Sequence, residues 1–150
     1  MSLFENIDNS NLKKIETTEY EAWIGILYAC MSSDGEISES EINYLINSIN
    51  SKEKFLGIEI SPFYEKAIVK KSEIGQLKLL DYYCQFIAEE DKPTVFCLAV
   101  DIVLSDGELH SEEKNVIEII SKRFNLNQDL ASRIIEVILI KNKGNLLNKE

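Results

Sequence analysis

Val95-Phe96-Cys97-Leu98-Ala99-Val100-Asp101-Ile102-Val103-Leu104-Ser105-Asp106-Gly107-Glu108-Leu109 runs a segment apolar on every face into a short polar turn. The end of this stretch has an echo: Ser105-Asp106-Gly107-Glu108-Leu109 repeats Ser33-Asp34-Gly35-Glu36-Ile37 from 72 positions upstream. The register holds on both sides. Glu113 and Asn115 answer Glu41 and Asn43, while Val95, Phe96, Leu98 and Val103 answer Trp23, Ile24, Ile26 and Met31. Each copy reads as an apolar helix, a tight turn and an amphipathic helix, and two such units are expected to pack as a pseudo-symmetric pair.

Outward from the repeat the chain reads as helix. Thr18-Glu19-Tyr20-Glu21 and Ser38-Glu39-Ser40-Glu41 have the form of capping boxes. The first precedes Tyr20, Trp23, Ile24, Leu27, Cys30 and Met31 at helical spacing, and the second precedes Ile42, Leu45, Ile46 and Ile49. Ser61-Pro62 opens a further helix, with proline in the first turn where its missing N–H costs nothing. A long helix is expected from Ser72 to Glu90, another from Pro93 to Ser105, and the last two over Ser111–Phe124 and Asn127–Lys141. No alternating strand pattern competes. The expected fold is all-α: a compact bundle of about seven helices in one domain spanning residues 1–150. Its ordered core is expected over about residues 18–141, with fraying in the first dozen residues and from Asn142 onward.

Composition narrows the function. A net charge of −10 argues against nucleic acid, where affinity comes from neutralising phosphates, and against anionic lipid. Apolar runs end well short of a membrane span, and the first residues do not read as a signal peptide. Cys30, Cys84 and Cys97 are odd in number, lack CxxC spacing and lie in apolar helices, as reduced core cysteines of a cytoplasmic protein would.

The Asp-Gly turn has a structural reading. Glycine supplies the positive φ of a sharp turn, the aspartate folds onto backbone amides, Ile37 or Leu109 pins the turn to the core, and Glu41 or Glu113 caps the next helix. A calcium loop of the EF-hand type fits poorly. With Gly35 or Gly107 in sixth place, the first and third ligand positions fall on Cys30 and Ser32, or on Ile102 and Leu104.

Asp101 stands out because a carboxylate in so apolar a helix must be paired, hydrogen-bonded or metal-bound; the first copy has Ala29 there. Either Asp101 accepts hydrogen bonds from a tyrosine such as Tyr28, Tyr82 or Tyr83, or pairs with a lysine, or Asp101, Asp106, Glu108 and Glu113 line one acidic pocket with Asp34 and Glu36. His110, the one histidine, reads as a helix cap or a surface residue, with zinc or manganese ligation beside carboxylates as the second reading.

The pattern Asp101-x-x-x-x-Asp106-Gly107-Glu108-Leu109-His110-x-x-Glu113, with Ser33-Asp34-Gly35-Glu36-Ile37-Ser38-x-x-Glu41 before it, resembles the TerB-like tellurite-resistance domain over about Tyr20 to Lys141. The resemblance implies an all-helical fold, an acidic surface able to bind a divalent cation, and roles in stress response and protein–protein scaffolding. The matching positions are Asp34, Gly35, Glu41, Asp101, Asp106, Gly107 and Glu113; Ala29 departs from the pattern. Similar domains accompany J-domains in co-chaperones, but this chain has no His-Pro-Asp tripeptide.

The leading expectation is a non-catalytic, cytoplasmic module presenting an acidic patch to a cation or a basic protein partner. The expected metal residues are Asp101, Asp106, Glu108, Glu113, Asp34, Glu36 and Glu41, and the cofactor is a divalent cation (calcium, magnesium, manganese or zinc) or none. The alternatives are a metal-dependent hydrolase using the same acids and a purely structural interaction domain. There is no Gly-rich phosphate loop and no Gly-x-Ser-x-Gly elbow.

Overall fold

A computed structural model describes residues 18–31 and 37–146 of the chain. Among them the regular structure is helical, with no strand: α1 (residues 18–31), α2 (Glu39–Asn50), α3 (Ser61–Ile74), α4 (Gln76–Cys84), α5 (Lys92–Val103), α6 (Ser111–Arg123) and α7 (Gln128–Asn142). Short 3-10 turns at Glu53–Phe55 and Glu89–Asp91 lead into α3 and α5. The all-α expectation holds.

Helices α1 and α5 form the centre. Every residue from 22 to 31 is buried, and Val95, Phe96, Ala99 and Val100 are fully buried on α5. Sequestering a large apolar side chain contributes about 1.5–3 kcal/mol, so these two helices hold the bundle together. Helix α5 packs on α2, α6 and α7, while α4 packs on α3 and α6. Helix α1 meets α3 and α4 through a Tyr28–Tyr64 edge contact at 5.2 Å and a hydrogen bond from the Tyr83 hydroxyl to Glu21 at 2.7 Å. Gly25 makes that approach possible: a Cβ there would sit 2.1 Å from the Tyr83 ring.

The Ser38–Glu41 capping box is present, with Ser38 Oγ accepting from the Glu41 amide at 3.2 Å and Glu41 accepting from the Ser38 amide at 3.3 Å. Thr18–Glu21, where the first capping box is expected, are helical within α1, while the first dozen residues and Ser33, Asp34, Gly35 and Glu36 of the first turn lie outside the described residues.

Two expectations need correction. The helix expected over Ser72–Glu90 is split. Gly75 takes φ 84°, which ends α3 and starts α4, and α4 itself ends at Cys84. Ile74, Leu77 and Leu80 keep helical spacing across the break, so periodicity alone conceals it. The second correction is at the C-terminal end. Asn142 is 1% exposed, because its side chain anchors α7 to the end of α5.

Candidate functional site

The second Asp-Gly turn connects α5 to α6. Gly107 adopts φ 79°, the left-handed conformation that glycine tolerates. Asp106 Oδ1 accepts from the Glu108 amide at 2.9 Å, the expected Asx turn. Glu113 accepts from the His110 amide at 3.0 Å and so caps α6, 72 residues after the equivalent contact of Glu41. Leu109 does not pin the turn to the core: it is 37% exposed, whereas Ile37 packs on the core.

The end of α7 holds the turn instead. Asn142 Nδ2 donates to the Leu104 carbonyl at 3.1 Å and to Asp101 Oδ1 at 2.8 Å. Asn145 Nδ2 donates to the Ser105 carbonyl at 3.1 Å and to Asn142 Oδ1 at 3.1 Å. Gly107 lies so close to this clamp that a Cβ would stand 2.6 Å from the Asn142 carbonyl oxygen.

Asp101 takes the hydrogen-bonded alternative. Tyr44 on α2 donates its hydroxyl to Oδ2, while Asn142 and Lys141 on α7 donate to Oδ1, Lys141 from 3.1 Å. The tyrosine is Tyr44, not Tyr28, Tyr82 or Tyr83. Its place three residues past the capping box gave no hint, because the meeting of α2 with α5 is a tertiary fact. Burial by itself raises the Asp101 pKa, but the hydrogen bonds from Tyr44, Asn142 and Lys141 outweigh it and hold the carboxyl below its ordinary value. The same contact, added to burial, pushes the Tyr44 hydroxyl well above its ordinary value. Asp101 is thus a fixed anion tying α2, α5 and α7 together.

The expected acidic residues therefore separate. Asp101 ties helices, while Glu41 and Glu113 cap them. Asp106 and Glu108 come together with His110: one ligand atom from each lies within 4.8 Å of the others. Among the described residues this is the group of three able to hold an ion. His110 Nε2 is 3.6 Å from Asp106 Oδ2 and 3.6 Å from Glu108 Oε2. Asp106 is half-buried and the other two are exposed. One imidazole and two carboxylates suit zinc or manganese, with water in the remaining positions, better than calcium, which takes six to eight oxygens. The chemistry such an ion supplies is polarisation of a bound water or carbonyl. The signal for His110 was its place in the turn beside two acids.

The thiols are unlike one another. Cys30 and Cys84 are buried, and burial pushes both up in pKa, Cys84 to about 12. Cys97 is half-buried and opens into a groove between α5 and α7. No helix among the described residues is long and apolar enough to cross a membrane.

No curated protein and no solved structure matches the chain. A family profile does. Residues 20–135 match the family described as tellurite resistance protein TerB, the span that holds the duplicated pattern and five of the seven helices in full, and the chain belongs to that family.

Proposed function

We propose that this protein is a non-catalytic, cytoplasmic stress-response module whose second Asp-Gly turn binds a divalent cation through Asp106, Glu108 and His110 and presents it to a protein partner. The observation that carries the reading is the convergence of one imidazole and two carboxylates within 4.8 Å on a turn fixed by Gly107 and the Asn142–Asn145 clamp. Such a turn holds its ligands on a rigid support while leaving them open to solvent and to a partner. The non-catalytic reading is supported by Asp101, whose two oxygens are engaged by Tyr44, Asn142 and Lys141, and by the buried thiols of Cys30 and Cys84.

Calorimetric titration of chelator-stripped protein with calcium, magnesium, manganese and zinc tests the site. Micromolar zinc or manganese binding, lost in Asp106→Asn and His110→Ala, is the expected result. Affinity should weaken as pH falls, because protons compete for the imidazole and carboxylates. The absence of heat and of a thermal shift with every ion would leave the turn as a helix connector. That second reading is favoured by the Asp106–Glu108 backbone bond and the packing of Gly107 on α7, which need no ion.

A further inference from the structure

The groove between α5 and α7 is the least explained surface of the molecule. It measures about 500 Å³ and is floored by Cys97, Leu98, Leu130, Ile134 and Ile138. Val137, 61% exposed, stands on its rim, and Ile140, 70% exposed, follows almost one turn later on α7. The apolar surface thus runs on past the mouth of the groove. Along α7 the lining extends from Leu130 to Lys141, about 16 Å, or three helical turns.

The charges at this groove oppose those of the whole chain. Asp101 is the acid in its lining, and Tyr44, Asn142 and Lys141 already engage it. Asp129 and Glu136, the other acids of α7, lie outside the lining. Arg133 on the α7 edge donates Nε to the Asp129 carbonyl and has no carboxylate partner among the described residues. Lys52, just past α2 on the other side of α5, is close enough to act electrostatically on the Cys97 thiol. In a chain of net charge −10, this is an apolar groove with unmatched cations at its edges.

We propose that the groove docks an amphipathic helix of a partner protein, apolar on the face laid between α5 and α7 and bearing carboxylates on its flanks for Arg133 and Lys52. Three arguments select that occupant. Charge complementarity calls for an acidic partner, since a guanidinium beside an apolar floor pairs best with a carboxylate. A second copy of so acidic a chain brings general repulsion. The groove is walled by helices, whose backbone groups are already paired, so an extended peptide would find no strand edge there; a helix satisfies its own backbone and needs only side-chain contacts. This site is independent of the cation site at Asp106.

The test is fluorescence anisotropy with a capped, side-chain-stapled helical peptide of about four turns. It carries leucine and isoleucine along one stripe and glutamate on both flanks. A second peptide has lysine in place of each glutamate. Chelator in the buffer keeps the Asp106 site out of the measurement. The full chain should bind the acidic peptide at least tenfold more tightly than the basic one. Val137→Asp should weaken that binding at least tenfold, and Arg133→Glu combined with Lys52→Glu should reverse the preference toward the basic peptide. A reversed preference cannot come from unfolding, and Arg133 and Val137 are exposed, so neither change strains the core. The bound acidic peptide should also slow alkylation of Cys97 by iodoacetamide about tenfold, reporting occupancy of the groove itself. Equal binding of the two peptides, no binding of either, a preference unmoved by charge reversal, or an unprotected Cys97 would overturn the proposal. So would self-association of the chain that Val137→Asp abolishes, which would assign the groove to a second copy.

Discussion

Replacing Asp101 with asparagine should be costly although it is conservative in shape. Asparagine has one oxygen where the carboxylate has two, and its amide points donors at donors. Either the Tyr44 hydroxyl or the Asn142 amide then loses its acceptor, and Asn142 is 1% exposed. An abandoned buried donor costs about 1–3 kcal/mol, and the surviving hydrogen bond falls from charged to neutral strength, about 1 kcal/mol less. Lys141 is 57% exposed at its side chain and adds little. The sum is about 2–4 kcal/mol, or about 5–15 °C in the unfolding midpoint of a chain this size. Because the folded pKa of Asp101 is lowered, the contribution of its charge is complete above the unfolded value, near 3.8, and is lost as pH falls through the folded value. Calorimetric melting of both proteins from pH 7 downward should therefore show a wide gap that narrows below about pH 4. A difference under about 1 kcal/mol at pH 7, or a gap that widens in acid, would refute the view of Asp101 as a fixed anion.

Other outcomes follow from the same geometry. Gly107→Ala should cost more than Gly57→Ala in urea denaturation. Both glycines have positive φ, worth about 1–2 kcal/mol, but only at Gly107 does the new methyl meet the Asn142 backbone. Gly25→Ala should destabilise by about 3 kcal/mol or more and disturb the Tyr83–Glu21 hydrogen bond, visible in the near-ultraviolet circular dichroism. In the native protein, Cys97 should react with a thiol reagent well before Cys30 and Cys84, which should react only on unfolding; equal rates would contradict the burial described.

Helix content was legible because it is local. The apolar stripes of α1 and α5, the Ser38–Glu41 box and the Pro62 and Pro93 starts each announce themselves within a few residues. The Gly75 break was hidden because the hydrophobic spacing continues across it. The acids of the repeat share one local pattern, yet their roles diverge. Glu113 turns back to its own helix start, Asp101 is claimed by Tyr44 and Asn142 from distant helices, and Asp106 and Glu108 are left to His110. Sequence spacing ranks such residues by neighbourhood along the chain, whereas their partners are chosen by how α2 and α7 lie across α5. The same limit explains Asn142, which looks like tail and acts as an anchor.

The Asn142–Asn145 clamp also sets an order of events during synthesis. The carbonyls of Leu104 and Ser105 receive their side-chain donors from 38 and 40 residues later in the chain. At translation rates of about 5–20 residues per second, the Asp-Gly turn waits about 2–8 seconds for α7 to be made. During that interval α5, the most apolar helix of the second half, has no α7 to cover one of its sides. A nascent chain paused between α6 and α7 would expose that side to the crowded surroundings of the ribosome, so the interval between these two helices is where slow codons or chaperone contact should most affect the yield of folded protein.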